Sequence, residues 1–370
     1  MKSTATLKDV ARQAGCGIAT VSRVLNGKGP VSAASRQRVL EAAQSLGFEF
    51  NETARALQSQ RTRTIGCLVP SLINPVFADA VQALQAEVLA AGYHLILMCS
   101  DYDPAQEAEI IRMLIQKNVD ALALTVSDAA TSAGLMALRD RPLPHCLMFN
   151  APAQGAASYF VNNASASARV AQAFDDEGHH RTGFLALRFH RSDRSRQRFE
   201  GYKKACRTRG MAEPLLLEVD QDQPDLGKQL SQMLRQRAQL SGIYASNDYL
   251  AIALIRAARA LGWKIPQDLS VIGFDGIEVG QLMVPSLATI VTDPAAMGRQ
   301  AGRHLLAALE DQQHLGAENS VPPIGGLGFE FRPGESLGPV RPDMRSNSRA
   351  ATPLLPLHHS KTALNASQEQ

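Results

Sequence analysis

The sequence predicts two structural parts, an N-terminal all-α helix-turn-helix head and an α/β core of two lobes, each built on a doubly wound parallel sheet. Three observations support this fold class. Apolar residues recur at helical spacing within the first fifty residues. From about residue 65, short strand-like apolar runs alternate with helical stretches, and this alternation occurs in two successive sets. The chain, with 370 residues of which 45% are hydrophobic, is long enough to bury such a core.

The first predicted helix begins after Thr6. Thr6 and Asp9 have capping-box spacing, in which a hydroxyl and a carboxylate satisfy backbone amides of the first turn. Leu7 and Val10 lie on one apolar face of this helix. Gly15 follows it, and glycine readily adopts the left-handed conformation that ends helices.

The second predicted helix spans about 18–25, is capped by Gly17 and ends at Asn26. It buries Val21 and either Val24 or Leu25. Its opposite face exposes Ile18, Ala19, Ser22 and Arg23. A third helix, capped by Ser32, directs four residues toward the same small core: Val39, Leu40, Ala43 and Leu46.

This arrangement of the first two helices is typical of a DNA reader, whose second helix presents its N-terminal side chains to base edges. Arg23 is suited to a bidentate contact with guanine, and Ile18 and Ala19 are suited to packing on thymine methyl groups. Thr20 and Ser22 are better suited to phosphate contacts. The alternative is a three-helix bundle that binds nothing, and helix capping alone leaves both interpretations open.

The charge distribution favours the DNA reader. Residues 1–64 contain ten lysines and arginines against four acidic residues, a net charge of +6 in a chain whose overall charge is +3. The remainder is therefore mildly acidic. A basic head on such a body is what contact with phosphates requires.

The head resembles the lactose-repressor (LacI/GalR) family of bacterial transcription regulators. The matching motifs are Leu7-Lys-Asp-Val-Ala, Ala14-Gly15, Thr20-Val-Ser-Arg-Val-Leu-Asn26 and Asn51-Glu-Thr-Ala-Arg-Ala-Leu57. The last motif resembles that family's hinge helix, which implies that Leu57 wedges into the minor groove with Ala54 packed beside it. The resemblance implies DNA contacts from Thr6, Gly17, Ile18, Ala19, Thr20, Ser22, Arg23, Asn26, Asn51, Ala54 and Leu57.

The sequence departs from the family pattern at three points, in the turn, before the hinge and at the reading pair. The turn reads Gly15-Cys16-Gly17 where the family usually has Gly-Val-Ser, so a side-chain cap and a phosphate contact are missing. Phe50 precedes Asn51 where proline usually introduces the hinge. With an apolar reading pair at Ile18 and Ala19, specificity is expected to depend on Arg23 and on DNA shape.

The core is predicted from alternating strands and helices, which indicate parallel sheets with right-handed crossovers. The predicted strands are 65–69, 95–99, 121–125 and 146–149 in the first lobe, and 182–187, 215–219, 242–245 and 270–274 in the second. The predicted helices are 77–91, 105–117 and 131–140, then 196–209, 226–237, 248–261 and 295–310. Ligands of such sheets bind beyond the carboxyl ends of the strands, here in a cleft between the lobes.

The family resemblance extends over about residues 5–338 and implies a core similar to periplasmic sugar-binding proteins, which dimerises and closes on a small effector. The implied segments are a head at 1–50, a hinge helix and linker at 51–63, a two-lobed core at 64–338 and a disordered tail at 339–370. The tail is rich in Pro, Ser and Asn and has no periodic apolar pattern.

The resemblance also implies effector contacts, and these positions have suitable chemistry. They are Phe77, Asn150, Arg198, Asn247 and Asp275. An arginine can bind a carboxylate or a hydroxyl pair in bidentate fashion, and an aspartate can accept from sugar hydroxyls. Each position also has a structural alternative: Asp275 as a turn residue and Asn247 as a helix cap, for example.

A cluster of arginines leaves two interpretations open. Its members are Arg188, Arg191, Arg194, Arg196 and Arg198. They indicate either an anionic effector, such as a sugar acid or a phosphorylated metabolite, or a solvated loop and helix start, and charge runs favour the solvated face. Segment 221–224 lacks the aromatic residue that often stacks on the effector in this family, which makes a flat purine-like effector less expected.

Other classes find little support in the sequence. Gly325-Gly-Leu-Gly328 does not open a helix after a first strand, as a dinucleotide-binding loop requires, and no phosphate-binding loop or nucleophile elbow is present. The five cysteines are widely spaced and predict reduced thiols rather than a metal site. No stretch approaches a membrane span and the N-terminus is polar, so we expect a cytoplasmic protein.

These features predict a non-enzymatic transcription regulator, in particular a repressor, without cofactor, catalytic residues or metal. Its expected partners are an approximately palindromic operator DNA and a small-molecule effector of the sugar or sugar-acid type. It is expected to assemble as a homodimer or a tetramer.

Overall fold

The computed structural model describes residues 5–26, 29–48, 61–139, 141–153, 155–219, 225–237, 239–311 and 324–345. The chain divides into two compact units, Met1–Arg63 and Thr64–Gln370, which we call the head and the core. The hinge positions Asn51, Ala54 and Leu57, segment 221–224 and residues 346–370 of the predicted tail lie outside the described residues.

The head contains three helices, α1 (Leu7–Gln13), α2 (Ile18–Asn26) and α3 (Ala33–Ser45). The predicted capping box is present: Asp9 N donates to Thr6 Oγ1 over 3.3 Å, and Thr6 N donates to Asp9 Oδ2 over 3.0 Å. Gly15 has the left-handed φ of +62° in the turn between α1 and α2. One expectation was wrong: Leu40 is 48% exposed, because α3 turns Val39 and its neighbouring alanines toward the head's core.

The core alternates strands and helices along the chain, as predicted. Its strands are β1 (Thr64–Val69), β2 (His94–Cys99), β3 (Ala121–Leu124), β4 (His145–Met148), β5 (Ala157–Val161), β6 (Thr182–Leu187), β7 (Leu215–Val219), β8 (Gly242–Ala245), β9 (Ser270–Asp275), β10 (Ala288–Val291), β11 (Ile324–Leu327) and β12 (Glu330–Arg332). Its helices are α4 (Pro75–Ala90), α5 (Pro104–Gln116), α6 (Ala133–Met136), α7 (Asn163–Asp176), α8 (Asp193–Thr208), α9 (Leu226–Gln236), α10 (Asp248–Ala260), α11 (Val279–Leu282), α12 (Pro294–Asp311) and α13 (Pro342–Arg345).

Two sheets define the two lobes. In the described residues each sheet has six strands, in the order β11-β5-β4-β3-β1-β2 in the first lobe and β12-β10-β9-β8-β6-β7 in the second. All neighbouring strands are parallel except β12, which runs antiparallel to β10. The strand order reverses direction at β1 and at β6, so each sheet has a topological switch point at its carboxyl edge.

Each lobe has its own buried core. Under the first sheet lie large side chains such as Leu84 and Ile65, and the second contains a group of aromatic rings that includes Phe174, Tyr202 and Tyr244. These side chains are fully buried. Because interiors are packed at crystal-like density, the carboxyl edges of both sheets are held at fixed positions.

The lobes are not contiguous in sequence. In the described residues the chain passes between them after β5, after β10 and after β11, so α12 and β11 belong to the first lobe although they follow most of the second. Helix α12 packs against α4 so closely that a Cβ on Gly298 would lie 2.0 Å from the Ala80 carbonyl oxygen. Only glycine permits that approach.

Several expectations for the core need adjustment. The helix predicted at 131–140 has four residues, Ala133–Met136. Strands β5, β10, β11 and β12 and helix α7 were not predicted. The core also continues past residue 338, since Val340 is buried and its amide donates to Glu177 O over 2.9 Å.

None of the helices in the described part of the chain combines the length and the apolar character needed to cross a bilayer.

Candidate DNA-reading helix and effector cleft

Helix α2 has one solvent-accessible face and one buried face. Val21 and Val24 point into the head's core with 0% and 5% exposure. On the other face Ile18 is 46% exposed, Ala19 and Arg23 are exposed, and Thr20 and Ser22 are half-buried. The residues predicted to read DNA therefore share one accessible face of α2, with Ile18 and Ala19 in its first turn and Arg23 in its last turn.

Two other predicted DNA contacts have a structural role in the head. The Thr6 hydroxyl donates to Asp9 Oδ2 over 2.6 Å, and this hydrogen bond lowers the pKa of Asp9. Asn26 is the last residue of α2, as predicted, and its side chain is outside the described residues. Thr6 thus fixes the start of α1, and any contact it makes with DNA must coexist with that cap.

The cleft of the core lies where strands of both sheets end, and we define it by Asn74, Tyr102, Asn150, Arg198 and Asp275. Asn150 follows β4, and Asp275 is the last residue of β9. The two sheets meet here through Asn74 at the start of α4, whose Nδ2 donates to Asp275 Oδ2 over 2.9 Å. The predicted binding edge is therefore the place where the lobes contact each other.

Asp275 is buried, with 7% exposure, in a strained backbone conformation with φ of 117°. Burial raises its pKa to about 6, and Arg198, the Asn74 hydrogen bond and Arg194 oppose that rise. Such a carboxyl can accept hydrogen bonds from a ligand's hydroxyl groups when ionised and donate one when protonated.

Arg198 lies in the second turn of α8 and faces Asp275. Its Nε donates to Asn163 Oδ1 over 2.8 Å, its Nη1 donates to the Ser246 carbonyl, and its guanidinium carbon lies 3.4 Å from the centre of the Phe274 ring. Burial lowers the pKa of this guanidinium. The stacking and the two hydrogen bonds hold the group rigidly at the cleft.

Asn150 differs from the expectation of a ligand-facing side chain. It is fully buried, and its amide is committed to protein partners: Oδ1 accepts from Val126 N over 2.9 Å, and Nδ2 donates to Val126 O and to Asp193 Oδ2, each over 2.8 Å. These bonds join the end of β4 to the start of α8. Asn150 thus shapes the cleft by fastening the lobes together.

Asn247 is the N-cap of α10, as its structural alternative predicted. Its Oδ1 accepts from Leu250 N over 2.8 Å, while the residue itself stays half-buried. Phe77, also predicted, is 4% exposed and packs edge-on against Phe149 with ring centres 4.9 Å apart. Phe77 therefore supports the ring of Phe149, which directly precedes Asn150.

Asp248 is a site residue that sequence reasoning missed. Its Oδ2 accepts from Gly276 N over 2.7 Å and Ile277 N over 2.8 Å, and its Oδ1 accepts from Thr289 Oγ1 over 2.5 Å. It is fully buried, and that burial raises its pKa to about 8 despite the three hydrogen bonds. Asp248 fixes the loop after Asp275. Asp248 could have been found from the motif Ala245-Ser-Asn-Asp248, in which only Asn247 was selected as a candidate.

Tyr102 was missed as well. It follows β2 in the left-handed conformation, with φ of 60°, and is surrounded by Arg188, Arg194, Arg198 and Asp275. Burial raises its pKa. Other non-glycine residues in left-handed conformation, Asp101, Phe149 and Arg188, also lie at these strand ends, and backbone strain of this kind concentrates at functional sites. No sequence pattern marks Tyr102.

The solvated-face interpretation of the arginine cluster was wrong for most of its members. Arg194 is 5% exposed, and the Arg188 side chain is 7% exposed, whereas Arg191 is exposed as expected. The physical reason is that the start of α8 faces the first lobe. Arg188 Nη1 donates to Asp101 Oδ1 over 2.9 Å, and Arg196 pairs with Asp128.

Comparisons with known proteins give a consistent result. The protein-family model described as "Bacterial regulatory proteins, lacI family" matches residues 6–51. The family model of a periplasmic binding protein-like domain matches residues 171–325. The transcriptional repressor PurR of Photobacterium profundum is 31% identical over 313 residues, 84% of this chain and 93% of that protein. The transcriptional regulator GntR of Escherichia coli K12 is 30% identical over 339 residues, 91% of this chain and 99% of that protein.

The solved structures show the same fold. The Lac repressor dimer bound to operator and an anti-inducer superposes with a TM-score of 0.79 at 22% sequence identity, covering 90% of this chain and 99% of that one. At this identity the likeness establishes the architecture of the chain and leaves its ligands to be argued from its own residues.

Proposed function

Because the chain belongs to the lacI family of bacterial regulatory proteins, we propose that it represses transcription by binding a near-palindromic operator as a homodimer and that an effector in the cleft controls this binding. The observation that supports the proposal best is the combination, in one chain, of an accessible reading face on α2 and a buried polar cleft in the core. A catalytic role is not part of the proposal, since the relatives are regulators. We also propose that the protein acts in the cytoplasm, where an operator is accessible.

For DNA we assign base reading to Ile18, Ala19 and Arg23. Their shared exposure on one face of α2 supports this assignment. Contacts to phosphate are assigned to the remaining predicted positions of the head, namely Thr6, Gly17, Thr20, Ser22 and Asn26. In the hinge we keep Asn51, Ala54 and Leu57 as minor-groove contacts, on the strength of the family motif.

For the effector we assign direct contacts to Arg198, Asn247 and Asp275, which face the cleft with polar groups. Phe77 and Asn150 are proposed to support the cleft without touching the effector. Phe77 packs against Phe149, and the Asn150 side-chain amide already hydrogen-bonds to Val126 and Asp193. A polyhydroxylated ligand suits this set of donors and acceptors.

Control of DNA binding follows from the contacts between the lobes. The hydrogen bond from Asn74 to Asp275 and the bond from Asn150 to Asp193 both span the cleft. An effector inserted among these groups changes their geometry and thereby the relative position of the lobes. By linkage, the factor by which the effector weakens operator binding is the factor by which the operator weakens effector binding.

The first test is selection of bound sequences from a random DNA pool with the full-length protein. We expect a two-fold symmetric consensus, as a dimeric reader requires. Affinity for that consensus and for a scrambled duplex is then measured by fluorescence anisotropy at one stated salt concentration. Recovery of unrelated sequences with equal affinity for both duplexes would contradict the proposal.

A further inference from the structure

Arg194 is the most deeply buried arginine at the start of α8. Its Nη1 donates to Val126 O over 2.8 Å and to Asp193 Oδ1 over 3.2 Å. Its Nη2 is also buried and has no hydrogen-bond partner among the described residues. Because a buried guanidinium nitrogen without a partner costs free energy, Nη2 is a donor suited to a ligand.

Arg198 lies one helical turn further along α8, on the same face as Arg194. Its hydrogen-bond partners are neutral oxygens of Asn163 and Ser246 rather than a carboxylate. Burial lowers its pKa, an effect that the Asp275 charge opposes and the Arg194 charge reinforces. Two like charges four residues apart repel each other. Both also lie near the N-terminal, positive end of a 16-residue helix. An anion at this point relieves both unfavourable interactions.

The hydrogen bonds around the cleft show which arginines already bind a carboxylate. Arg188 is paired with Asp101, and the Asp193 carboxylate is divided among Arg194, Asn150 and the Ala129 amide. Asp275 accepts from Asn74 and makes no hydrogen bond to either arginine in the described part of the chain. Arg198 therefore makes no hydrogen bond to a carboxylate among the described residues, although the charge of the nearby Asp275 opposes the lowering of the Arg198 pKa by burial.

Neutral donors lie at the same edge of the first sheet. Ser100 Oγ follows β2 and Thr125 Oγ1 follows β3, and both hydroxyls are fully buried without a hydrogen-bond partner among the residues described. Hydroxyl groups of this kind bind the hydroxyls of a ligand. The cleft thus combines the positive charges of Arg194 and Arg198 with the hydroxyl donors of Ser100 and Thr125.

We propose that Arg194 and Arg198 together form a carboxylate subsite, so that the effector is a polyhydroxylated monocarboxylate, a sugar acid, rather than a neutral sugar. This inference rests on the proposed effector cleft and adds the chemical class of its ligand. The same nitrogens suit a phosphate monoester, but the nearby Asp275 carboxylate repels a charge near −2 more strongly than the single charge of a carboxylate. Arg194 is then the residue that determines specificity.

The first experiment follows thermal unfolding of the full-length protein with matched probes. These are D-gluconate, D-galactonate, D-glucuronate and D-galacturonate, the parent sugars D-glucose and D-galactose, and D-glucose 6-phosphate. We expect stabilisation by at least one acid and by neither parent sugar.

The other outcomes would contradict different parts of the proposal. Stabilisation by a parent sugar alone would overturn the carboxylate subsite but not the effector cleft. Stabilisation by the phosphate alone would overturn the choice of a carboxylate. Failure of every probe would overturn the subsite and effector control together, while operator selection tests DNA binding separately.

The second experiment measures selectivity, by calorimetry, as the ratio of affinities for the acid and for its parent sugar. Arg194→Gln is expected to lower affinity for the acid by about 10- to 100-fold and to leave the much weaker affinity for the parent sugar unchanged. A purely structural role would weaken both affinities alike and would overturn the inference.

Two further variants complete this design. Arg191→Gln removes an exposed arginine from the same segment and is expected to change neither affinity. Arg194→Lys keeps the charge without the planar fork and is expected to recover part of the lost affinity, and it replaces the glutamine variant if that variant does not fold. Equal affinities in Arg194→Lys and Arg194→Gln would show that charge is irrelevant and contradict the subsite.

Discussion

Arg23 lies in the last turn of α2, on the same accessible face as Ile18 and Ala19. We expect Arg23→Ala to reduce discrimination at one base pair of each half-site by about 1–3 kcal/mol. The measurement is anisotropy with the selected operator, single-base variants of it and random DNA.

Arg12→Ala is the matched control, since this arginine is 82% exposed and belongs to α1 rather than to α2. It is expected to affect all DNA sequences alike. Equal losses on operator and random DNA with Arg23→Ala would contradict base reading by Arg23.

Asp248 links protonation to stability. Because its folded-state pKa is raised to about 8, the folded protein binds this proton more tightly than the unfolded chain does. The free energy of unfolding therefore falls as the pH rises from about 4 to 8, by about 1.4 kcal/mol per pH unit for one proton. Asp275, raised to about 6, adds the same trend over the lower part of that window.

We expect Asp248→Asn to keep the fold at neutral pH and to flatten this pH dependence, since asparagine mimics the protonated carboxyl. Its oxygen can accept from Gly276 and Ile277, and its amide can donate to Thr289 Oγ1. Urea unfolding at several pH values measures the slope. Asp79→Asn, at an exposed position of α4, is the control and should leave the slope unchanged. Identical profiles for Asp248→Asn and the unmodified protein would refute this linkage.

At the scale of elements, the packing of α12 on α4 depends on one glycine. A methyl group at Gly298 would meet the Ala80 carbonyl at 2.0 Å, so Gly298→Ala is expected to destabilise the core by about 1–3 kcal/mol. On the same helix, a methyl group at Gly302 would meet Glu87 Cβ at 3.0 Å, a contact that a shift of a few tenths of an ångström relieves. Helix propensity also favours alanine, so Gly302→Ala is expected to cost less than Gly298→Ala. Thermal unfolding should thus separate the two variants, and equal melting temperatures would contradict the packing argument.

Elements with strong local patterns were predictable from sequence. The capping box at Thr6, the buried faces of α1 and α2, and eight strands of the core follow from periodicity and hydrophobic runs. Helix α7 was not predicted, although its buried residues, Val170 and Phe174 among them, recur at helical spacing. Strands β11 and β12 have only four and three residues and gain their partners from distant parts of the chain.

Some residues of the candidate cleft could likewise be predicted from the sequence and others could not. Arg198 and Asp275 were predictable because they lie in recognisable motifs, although their neighbours Tyr102 and Arg194 were not. The burial of Arg194 depends on Val126 and Asp193, and the first of these lies in the other lobe, 68 residues away. Local charge density gives no information about a partner that arrives through the tertiary fold.

At the scale of the whole molecule, the hinge is expected to separate operator binding from effector binding. We expect Leu57→Ala to reduce operator affinity by at least about 1.4 kcal/mol, a factor of ten, because a smaller side chain cannot wedge apart a base step. Effector affinity should not change. Anisotropy with the selected operator and calorimetry with the stabilising probe measure the two properties independently.

Asn51→Ala provides a comparison within the same motif, since it removes a polar contact but no wedge. It is expected to cost less operator affinity than Leu57→Ala and to leave the bend in the DNA intact, as judged by gel mobility of permuted fragments. Unchanged operator affinity in Leu57→Ala would contradict the hinge assignment.

The interleaving of the two lobes along the chain has a consequence for synthesis. A ribosome that has released β1 to β5 has made most of the first sheet, but α12 and β11 are more than a hundred residues from being translated. Until then, the apolar surface that α12 covers, including Leu84, stays unprotected. The second lobe is nearly complete before the first can close, so the nascent protein must pass through a stage in which its earliest-made half is the last to mature.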